Sequence, residues 1–307
     1  MKILVTGASG MVGRNLTEKL RENGFNVFSP SSAELNLLSV PSTNSWFEKN
    51  DVDFIFHAAG RVGGIQANMA AQASFLIENS DMARNLFVTA SVAGVKKAIN
   101  LGSSCMYPKL AENPLKESDI LNGQLEPTNE GYALAKVFAY KLCQYLSEQG
   151  SVSYKTLVPC NIFGRYDSYD ENRSHMIPAV IKKIHNAKTK HLNTVEIWGD
   201  GSARREFMNV KDLTDCLLHG FNHFESMPDL MNVGTGVDYS ILDYYCLVSD
   251  VIGFKGEFTF DLSKPIGMKQ KLVDVSLAAD WGWRSKISIE DGLSDAYSSY
   301  LETVNEN

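Results

Sequence analysis

The chain has 307 residues, of which 44% are hydrophobic and 21% are charged, and its formal net charge is −7. This composition is typical of a globular protein, no apolar run approaches the length that crosses a bilayer, and the acidic balance argues against a nucleic-acid-binding surface. The length fits one large α/β domain, alone or with a smaller attachment.

The chain begins with a strand pattern followed by a glycine-rich turn. Residues 2–6 form a short apolar run, residues 7–13 contain Gly7, Gly10 and Gly13, and a helical pattern continues to about residue 23. Glycines let the backbone approach a pyrophosphate, and free amides at a helix start attract its charge. We therefore predict a dinucleotide site here rather than a plain strand–helix turn. This start leaves no place for a signal peptide.

The second predicted strand, residues 25–29, bears on the choice of nicotinamide cofactor. A carboxylate at its end would bind the 2′-hydroxyl of NAD, but the chain continues with Ser29, Pro30, Ser31 and Ser32. The missing acid favours NADPH, whose 2′-phosphate a carboxylate would repel. No Arg or Lys follows in that loop, so NADH also remains open.

The following elements alternate strands and helices. Strands are predicted at 53–57, 95–101 and 152–159, a long helix at 69–93, and a polar surface excursion at 111–128 before a helix at 129–149. The third strand ends in Ala58, Ala59 and Gly60, small residues that suit a dinucleotide lying across the sheet. His57, beside them, is interpreted as a packing residue. This alternation predicts a doubly wound parallel sheet.

Four residues that can hold or move protons converge on the predicted carboxyl edge of this sheet. Ser103 and Cys105 follow the fourth strand, and Tyr132 and Lys136 share one helix face at a spacing of four. A phenol beside an ammonium of this kind gives a proton to a carbonyl oxygen as hydride arrives, and we expect the ammonium to lower the phenol pKa. A carbonyl reductase does not need Cys105. A thiol and an imidazole, for which His175 is the candidate, could instead move protons at carbon.

After Cys160 the pattern is less regular. A helix is predicted at about 178–187, a strand and turn at 195–201, a strand near 232 and a final helix. We predict a dinucleotide-binding domain from residues 1–164 with 207–247, and a smaller substrate-binding domain from 165–206 with 248–307.

Several long motifs resemble the GDP-L-fucose synthase family of extended short-chain dehydrogenases/reductases, which have a Rossmann sheet. They are residues 61–65, 102–111, 125–130, 174–179, 205–207 and 232–236. The resemblance implies NADPH, a GDP-4-keto-6-deoxy-mannose type of substrate and a homodimer. It implies that Cys105 and His175 epimerise the carbons beside the ketone, and that Tyr132, with Ser103 and Lys136, protonates the C4 oxygen.

The predicted sites follow from the motifs together with this resemblance. The cofactor-binding residues are Gly7, Ser9, Gly10, Met11, Val12, Gly13, Asn36, Leu37, Ala58, Ala59, Gly60, Leu101, Gly102, Lys136, Pro159, Asn161, Ile162 and His175. The residues that contact the GDP-sugar are Lys183, Trp198, Arg205 and Ile266.

Two departures from the family pattern concern specificity. Ser9 and Ser32 stand near where the family has arginines for the 2′-phosphate, which leaves NADH acceptance open. Ile266 replaces a carboxylate that can bind a sugar hydroxyl, and an unpartnered hydroxyl there costs about 1–3 kcal/mol. A 3,6-dideoxy sugar, as in GDP-L-colitose synthesis, is therefore an alternative substrate.

The sequence leaves the exact reaction open. The first prediction is C3/C5 epimerisation and C4 reduction, and the alternatives are C5 epimerisation with reduction, C4 reduction of another GDP-4-keto sugar such as a 6-deoxy-heptose, or a non-catalytic cofactor-binding regulator. The five cysteines stand at 105, 143, 160, 216 and 246, without disulfide or metal-site spacing. We therefore expect a reducing cytoplasm, no metal and no nucleic-acid or membrane partner.

Overall fold

The structure is a computed structural model that describes residues 1–170, 174–264 and 267–305. Its strands are β1 (Lys2–Thr6), β2 (Asn26–Phe28), β3 (Phe54–His57), β4 (Lys97–Leu101), β5 (Ser153–Pro159), β6 (Asn161–Phe163), β7 (Thr194–Trp198), β8 (Arg204–Arg205), β9 (Phe207–Asn209), β10 (Leu230–Val233), β11 (Tyr239–Ser240), β12 (Glu257–Asp261) and β13 (Gln270–Lys271). Its α-helices are α1 (Met11–Glu22), α2 (Val40–Lys49), α3 (Ile65–Ala70), α4 (Gln72–Val92), α5 (Glu130–Glu148), α6 (Met176–Thr189), α7 (Val210–Asn222), α8 (Ile241–Ile252), α9 (Ser276–Asp280) and α10 (Ile289–Asn305).

The central sheet confirms the predicted doubly wound α/β class. Within the described residues its order is β10-β5-β4-β3-β1-β2, and all its neighbouring pairs are parallel. Strand β1 has β2 on one side and β3 on the other, so the direction of winding reverses there. Open parallel sheets bind ligands at the carboxyl ends of the strands flanking such a point. The turns after β1 and β3 therefore border the expected cofactor crevice.

Strand β1 is buried on both faces of the sheet. Ile3 and Val5 pack with Leu16 and Leu20 of α1, whereas Leu4 points to the opposite face and joins the core that contains α4. Successive strand side chains face opposite ways, so a continuous apolar run fills both cores. Because both faces of β1 are buried, the position of the glycine turn that directly follows this strand is fixed relative to the sheet.

A separate apolar cluster lies under the second half of the chain. It combines residues of α6, β7, α8 and α10: Ile177, Ile181, Val195, Ile197, Tyr244, Val248 and Leu293. The parallel pair β7 and β12 lies beside it. This cluster supports the elements that carry His175, Lys183 and Trp198.

The predicted helix over 69–93 is corrected by the structure. Helix α3 ends at Ala70 and α4 begins at Gln72, because Ala71 leaves the helical region with φ −145° and ψ 37°. The Gln72 side chain donates to the Pro127 carbonyl at 2.6 Å and accepts from the Gly131 amide at 2.7 Å. These tertiary bonds hold α4 against the start of α5, and an apolar pattern does not reveal them.

The close contact between Gly13 and the glycine turn yields a stability prediction. A Gly13→Ala methyl group would lie 2.2 Å from the Gly7 carbonyl oxygen, so the turn must move. We expect a loss of about 1–3 kcal/mol in the free energy of unfolding, measured by urea titration. Gly10→Ala is the control because its methyl group would lie 3.4 Å from the same oxygen. Equal losses in both variants would contradict the proposed contact.

Candidate active site

The turns after β1 and β3 meet at the switch point of the sheet. Gly7 has φ +70°, and a methyl group there would lie 2.6 Å from the Ala59 amide nitrogen. Gly10 precedes α1, and no side chain caps the first turn of that helix. Uncapped helix-start amides beside a crevice that a Cβ would fill fit a dinucleotide pyrophosphate. The structure thus brings the predicted residues of 7–13 and 58–60 together.

The other predicted cofactor residues lie along the same edge. Leu101 ends β4 and Gly102 follows it, Pro159 ends β5, and Asn161 and Ile162 begin β6. The Asn161 side chain donates to the Glu206 carbonyl at 2.8 Å. Asn36 and Leu37 lie in the loop between β2 and α2, where the Asn85 side chain donates to the Leu37 carbonyl at 2.8 Å. These bonds keep the rim of the crevice in place.

Lys136 is directed at the carboxyl end of β4. Its ammonium donates to the Leu101 carbonyl at 2.8 Å and lies 5.7 Å from the centroid of the Tyr132 ring. Burial lowers the pKa of Lys136 to about 8. The α5 helix thus presents the Tyr132 phenol and the Lys136 amine on one face, as predicted from their spacing.

Ser103 joins the phenol and the thiol in one cluster. It precedes the short 3-10 turn Ser104–Met106, and its hydroxyl accepts from the Cys105 amide at 3.4 Å. A hydrogen bond with Ser103 acts on both Tyr132 and Cys105 and opposes the rise of each pKa. Cys105 also packs with Tyr132, Leu125 and Ala133. Hydroxyl, thiol and phenol therefore share one pocket.

The expectation of a lowered Tyr132 pKa is wrong for the ligand-free protein. Burial raises this pKa far above its usual value, and the neighbouring Cys105 raises it further. Removing the phenol from water costs the phenolate more than the hydrogen bond with Ser103 returns. Tyr132 is consequently protonated and ready to donate.

Sequence reasoning missed Lys271, which approaches Cys105. Burial raises the pKa of the Cys105 thiol, and the Lys271 charge is the strongest influence that lowers it. Lys271 in β13 is directly opposite Arg205 in β8, and it also interacts electrostatically with Glu126. The stretch Lys269-Gln270-Lys271 has no pattern that singles out one lysine; only the strand register does so.

His175 lies at the start of α6. It is the N-terminal flanking residue of α6, and the cleft leaves its side chain accessible while surrounding atoms lower its pKa by desolvation. The loop before α3 comes close to it, since a methyl group at Gly64 would lie 3.5 Å from the Ser174 carbonyl oxygen. The same loop packs on Phe75, whose ring meets Tyr132 edge to face at 6.3 Å. This loop therefore lies between Tyr132 and the start of α6.

Three of the predicted sugar-nucleotide residues lie on or beside α6, β7 and β8: Lys183, Trp198 and Arg205. Lys183 donates to the Glu196 carbonyl, and Trp198 is 46% exposed with the Lys264 ammonium 5.4 Å from its ring centroid. A methyl group at Gly267 would lie 3.5 Å from a guanidinium nitrogen of Arg205. Ile266, the remaining prediction, lies outside the described residues.

His57 packs in the sheet, which confirms its interpretation as a packing residue. Its Nδ1 lies 2.8 Å from the Thr6 hydroxyl, and its ring meets Phe87 edge to face at 5.2 Å. Burial, with a smaller effect of Lys136, lowers its pKa to about 3. The imidazole therefore stays neutral near pH 7.

The Lys271 charge predicts the titration of Cys105. Lys271→Met should raise the pH midpoint of Cys105 alkylation by iodoacetamide, because a positive charge that favours the thiolate is lost. Mass spectrometry of the alkylated peptides measures the midpoint, and Cys246 serves as an exposed internal reference. Lys269→Met, two residues earlier and exposed, is the matched control. An unchanged Cys105 midpoint in Lys271→Met would refute the assigned interaction.

Comparisons with known proteins agree with this arrangement. The family described as "NAD dependent epimerase/dehydratase family" matches residues 3–234. The chain is 48% identical to GDP-L-colitose synthase of Yersinia pseudotuberculosis over 99% of both chains, and 45% identical to GDP-L-fucose synthase of Azorhizobium caulinodans over 98% of this chain and 96% of that one. A solved GDP-mannoheptose C4 reductase from Campylobacter jejuni, with NADP bound, is 30% identical and has a TM-score of 0.89 over 98% of each chain. The chain therefore belongs to the NAD dependent epimerase/dehydratase family.

Proposed function

We propose that this enzyme epimerises a GDP-4-keto-6-deoxy-D-mannose type of sugar at C3 and C5 and then reduces its C4 ketone with NADPH. The observation that carries the proposal is the Cys105 thiol in one pocket with Ser103 and Tyr132, beside the Lys271 charge. A ketone reductase needs the phenol, whereas a thiol in the same pocket adds proton transfer at carbon. Full-length similarity to GDP-L-fucose and GDP-L-colitose synthases supports the substrate class.

The reduction assigns the phenol, hydroxyl and amine to one oxygen. NADPH, when bound in the crevice, supplies the hydride. Tyr132 is protonated because of burial, and it gives its proton to the C4 oxygen. Ser103 hydrogen-bonds the same oxygen. The Lys136 ammonium, which is directed at the end of β4, orients the ribose and stabilises the negative charge that the phenol acquires when it loses its proton.

Epimerisation assigns the thiol and imidazole to opposite faces of the sugar. A carbon beside a ketone loses a proton to one group as an enolate forms, and it gains a proton from the other group on the opposite face. Burial favours the neutral thiol of Cys105, and desolvation by surrounding atoms favours the neutral imidazole of His175, so the thiol is the proton donor and the imidazole the acceptor. Tyr132 and Ser103 stabilise the enolate oxygen by hydrogen bonding.

The GDP group requires cations and an aromatic surface. Arg205 and Lys271 are opposite each other on β8 and β13, which suits the diphosphate. Lys183 and the exposed face of Trp198 lie farther out and suit the nucleoside. Residues 165–206 with 248–307 thus form the proposed substrate domain, and residues 1–164 with 207–247 the cofactor domain.

A second candidate is the colitose-type reaction on a 3,6-dideoxy sugar. It is favoured by the 48% identity to GDP-L-colitose synthase and by Ile266 in the sequence, where a carboxylate would bind the 3-hydroxyl. Each GDP-4-keto sugar is incubated with the enzyme in deuterated water, and NMR locates the deuterium. Label at C3 and C5 supports the first reaction, and label at C5 alone supports the second.

The same experiment separates the steps within the active site. Cys105→Ser should lose at least about a hundredfold in deuterium incorporation while reducing an already epimerised ketone at near the parental rate, because general acid–base catalysis contributes about 10²–10⁴-fold. Cys246→Ser, at an exposed cysteine, is the control. Reduction of the ketone without any label would instead indicate a simple C4 reductase. Absence of both label and NADPH oxidation would refute catalysis.

The lowered pKa of Lys136 predicts a pH limit on reduction. The ammonium is present below about pH 8 and is lost as the pH rises through that value, so kcat/KM for an epimerised ketone should fall tenfold per unit above it. Lys136→Arg should move this fall in kcat/KM to higher pH, because the guanidinium stays charged. Spectrophotometric rates from pH 6 to 10 give the profile. If kcat/KM falls at the same pH in both enzymes, Lys136 is excluded as the group that titrates.

The proposed assembly is a cytoplasmic homodimer. Exposed apolar side chains line the outer faces of the two packed helices α4 and α5: Ile77, Val88, Leu134, Phe138 and Tyr145. A second copy of the chain would cover them, with the Asp81–Arg84 ion pair in the same surface. No helix within the described residues is long and apolar enough to cross a membrane.

Dimerisation through this surface predicts a charge-sensitive assembly. Phe138→Asp should shift the protein from dimer to monomer, because burying an unpaired carboxylate in the apolar contact is costly. Analytical ultracentrifugation at several concentrations measures the shift. Leu262→Asp, at an exposed leucine away from α4 and α5, should leave the dimer intact. A Phe138→Asp dimer of parental stability would exclude this face.

A further inference from the structure

The loop after β2 lacks a cation for the 2′-phosphate of NADPH. Ser29 directly follows β2, and residues 29–33 contain no basic side chain. The carboxylate of Glu34 accepts hydrogen bonds from the amide and hydroxyl of Ser31, both at 2.8 Å. A 2′-phosphate entering here needs a positive group from another element, because the loop offers hydroxyls and a bound carboxylate.

The preceding helix supplies such a group. Arg21 is in the last turn of α1, and its Nη2 donates to the Ser29 hydroxyl at 2.7 Å and lies 3.5 Å from the Val27 carbonyl oxygen. Long helical side chains lean toward the helix start, which here is the carboxyl edge of the sheet. The guanidinium therefore reaches the position that follows β2, where NAD-binding proteins of this fold place a carboxylate.

The charge of Arg21 is available to a ligand. Among the described ranges, no carboxylate lies within ion-pair distance of its guanidinium, whereas Arg14, Arg61, Arg84 and Arg204 each pair with one. The side chain is exposed and contacts neutral oxygens. Both of these contacts are made by Nη2, so the other N–H groups of the guanidinium can donate to a phosphate.

We propose that Arg21, oriented by Ser29, binds the 2′-phosphate of NADPH and selects this cofactor over NADH. Arg21 of α1 supplies the positive charge that the loop lacks, and Ser29, which directly follows β2, holds the guanidinium in place. Arginine binds phosphate through paired hydrogen bonds, and the Ser29 hydroxyl can turn to donate to the same group. This inference rests on the use of NADPH in the proposed function and is independent of the sugar.

Direct binding to the cofactor-free protein tests the proposal. Isothermal titration calorimetry compares NADP⁺ with NAD⁺, and adenosine 2′,5′-bisphosphate with 5′-AMP. Arg21→Gln should weaken the two 2′-phosphorylated ligands about tenfold and leave the other two within about twofold. Ser29→Ala should cause a smaller loss restricted to the same ligands. The ratio of kcat/KM for NADPH to that for NADH should fall in parallel.

Lys19→Gln is the matched control for charge. Lys19 is in the same last turn of α1, but it pairs with Asp215 at 3.3 Å. Its loss should leave the NADP⁺ to NAD⁺ preference unchanged. Equal weakening of NADP⁺ and NAD⁺ by Arg21→Gln, or no weakening of either phosphorylated ligand, would overturn the proposal. If Arg21→Gln misfolds, Arg21→Lys is titrated with the same four ligands. The proposal then requires a partial loss of affinity for the two 2′-phosphorylated ligands and none for the other two.

Discussion

The buried carboxylate of Glu206 is the contact on which the placement of β8 and β13 beside the central sheet depends. It accepts hydrogen bonds from the amides of Thr235 at 2.6 Å, Gly236 at 2.8 Å and Val273 at 3.0 Å. These donors belong to the turn after β10 and to the segment after β13, which are far apart in the chain. Burial raises the pKa of Glu206 to about 6, against the backbone bonds that lower it. One side chain thus connects the edge of the central sheet to β8 and β13, the strands that carry Arg205 and Lys271.

Desolvation governs the protonation states at the cleft. It raises the pKa values of Tyr132 and Cys105 and lowers those of Lys136, Lys271 and His175. Each shift favours the neutral form of its group. A phosphorylated cofactor and a diphosphate substrate would return negative charge to this pocket and favour the ammonium groups again. Ligand binding and catalytic protonation are therefore coupled through the same lysines.

Local patterns in the sequence were sufficient to predict the parallel sheet and the shared helix face of Tyr132 and Lys136. The strand–glycine–helix start, the buried strands and the i, i+4 pair of Tyr132 and Lys136 depend on neighbours in the chain, and the structure has each of them. Lys271, Arg21 and the break at Ala71 could not be predicted in this way. Their positions follow from strand register, from a side chain reaching another element, and from the Gln72 bonds to residues of the distant α5 region. Such tertiary constraints have no periodic signature.

The two faces of α5 connect the proposed active site with the proposed dimer surface. Tyr132 and Lys136 face the cleft. Leu134, two residues from each of them, and Phe138, two residues after Lys136, face outward with exposures of 40% and 39%. A rigid helix moves as one body, so a shift of the outer face displaces the phenol and the amine together. In the proposed dimer, dilution below the dissociation constant would free the outer face of α5 and so act on the geometry of the phenol and the amine. Activity per subunit would then depend on protein concentration as well as on sequence.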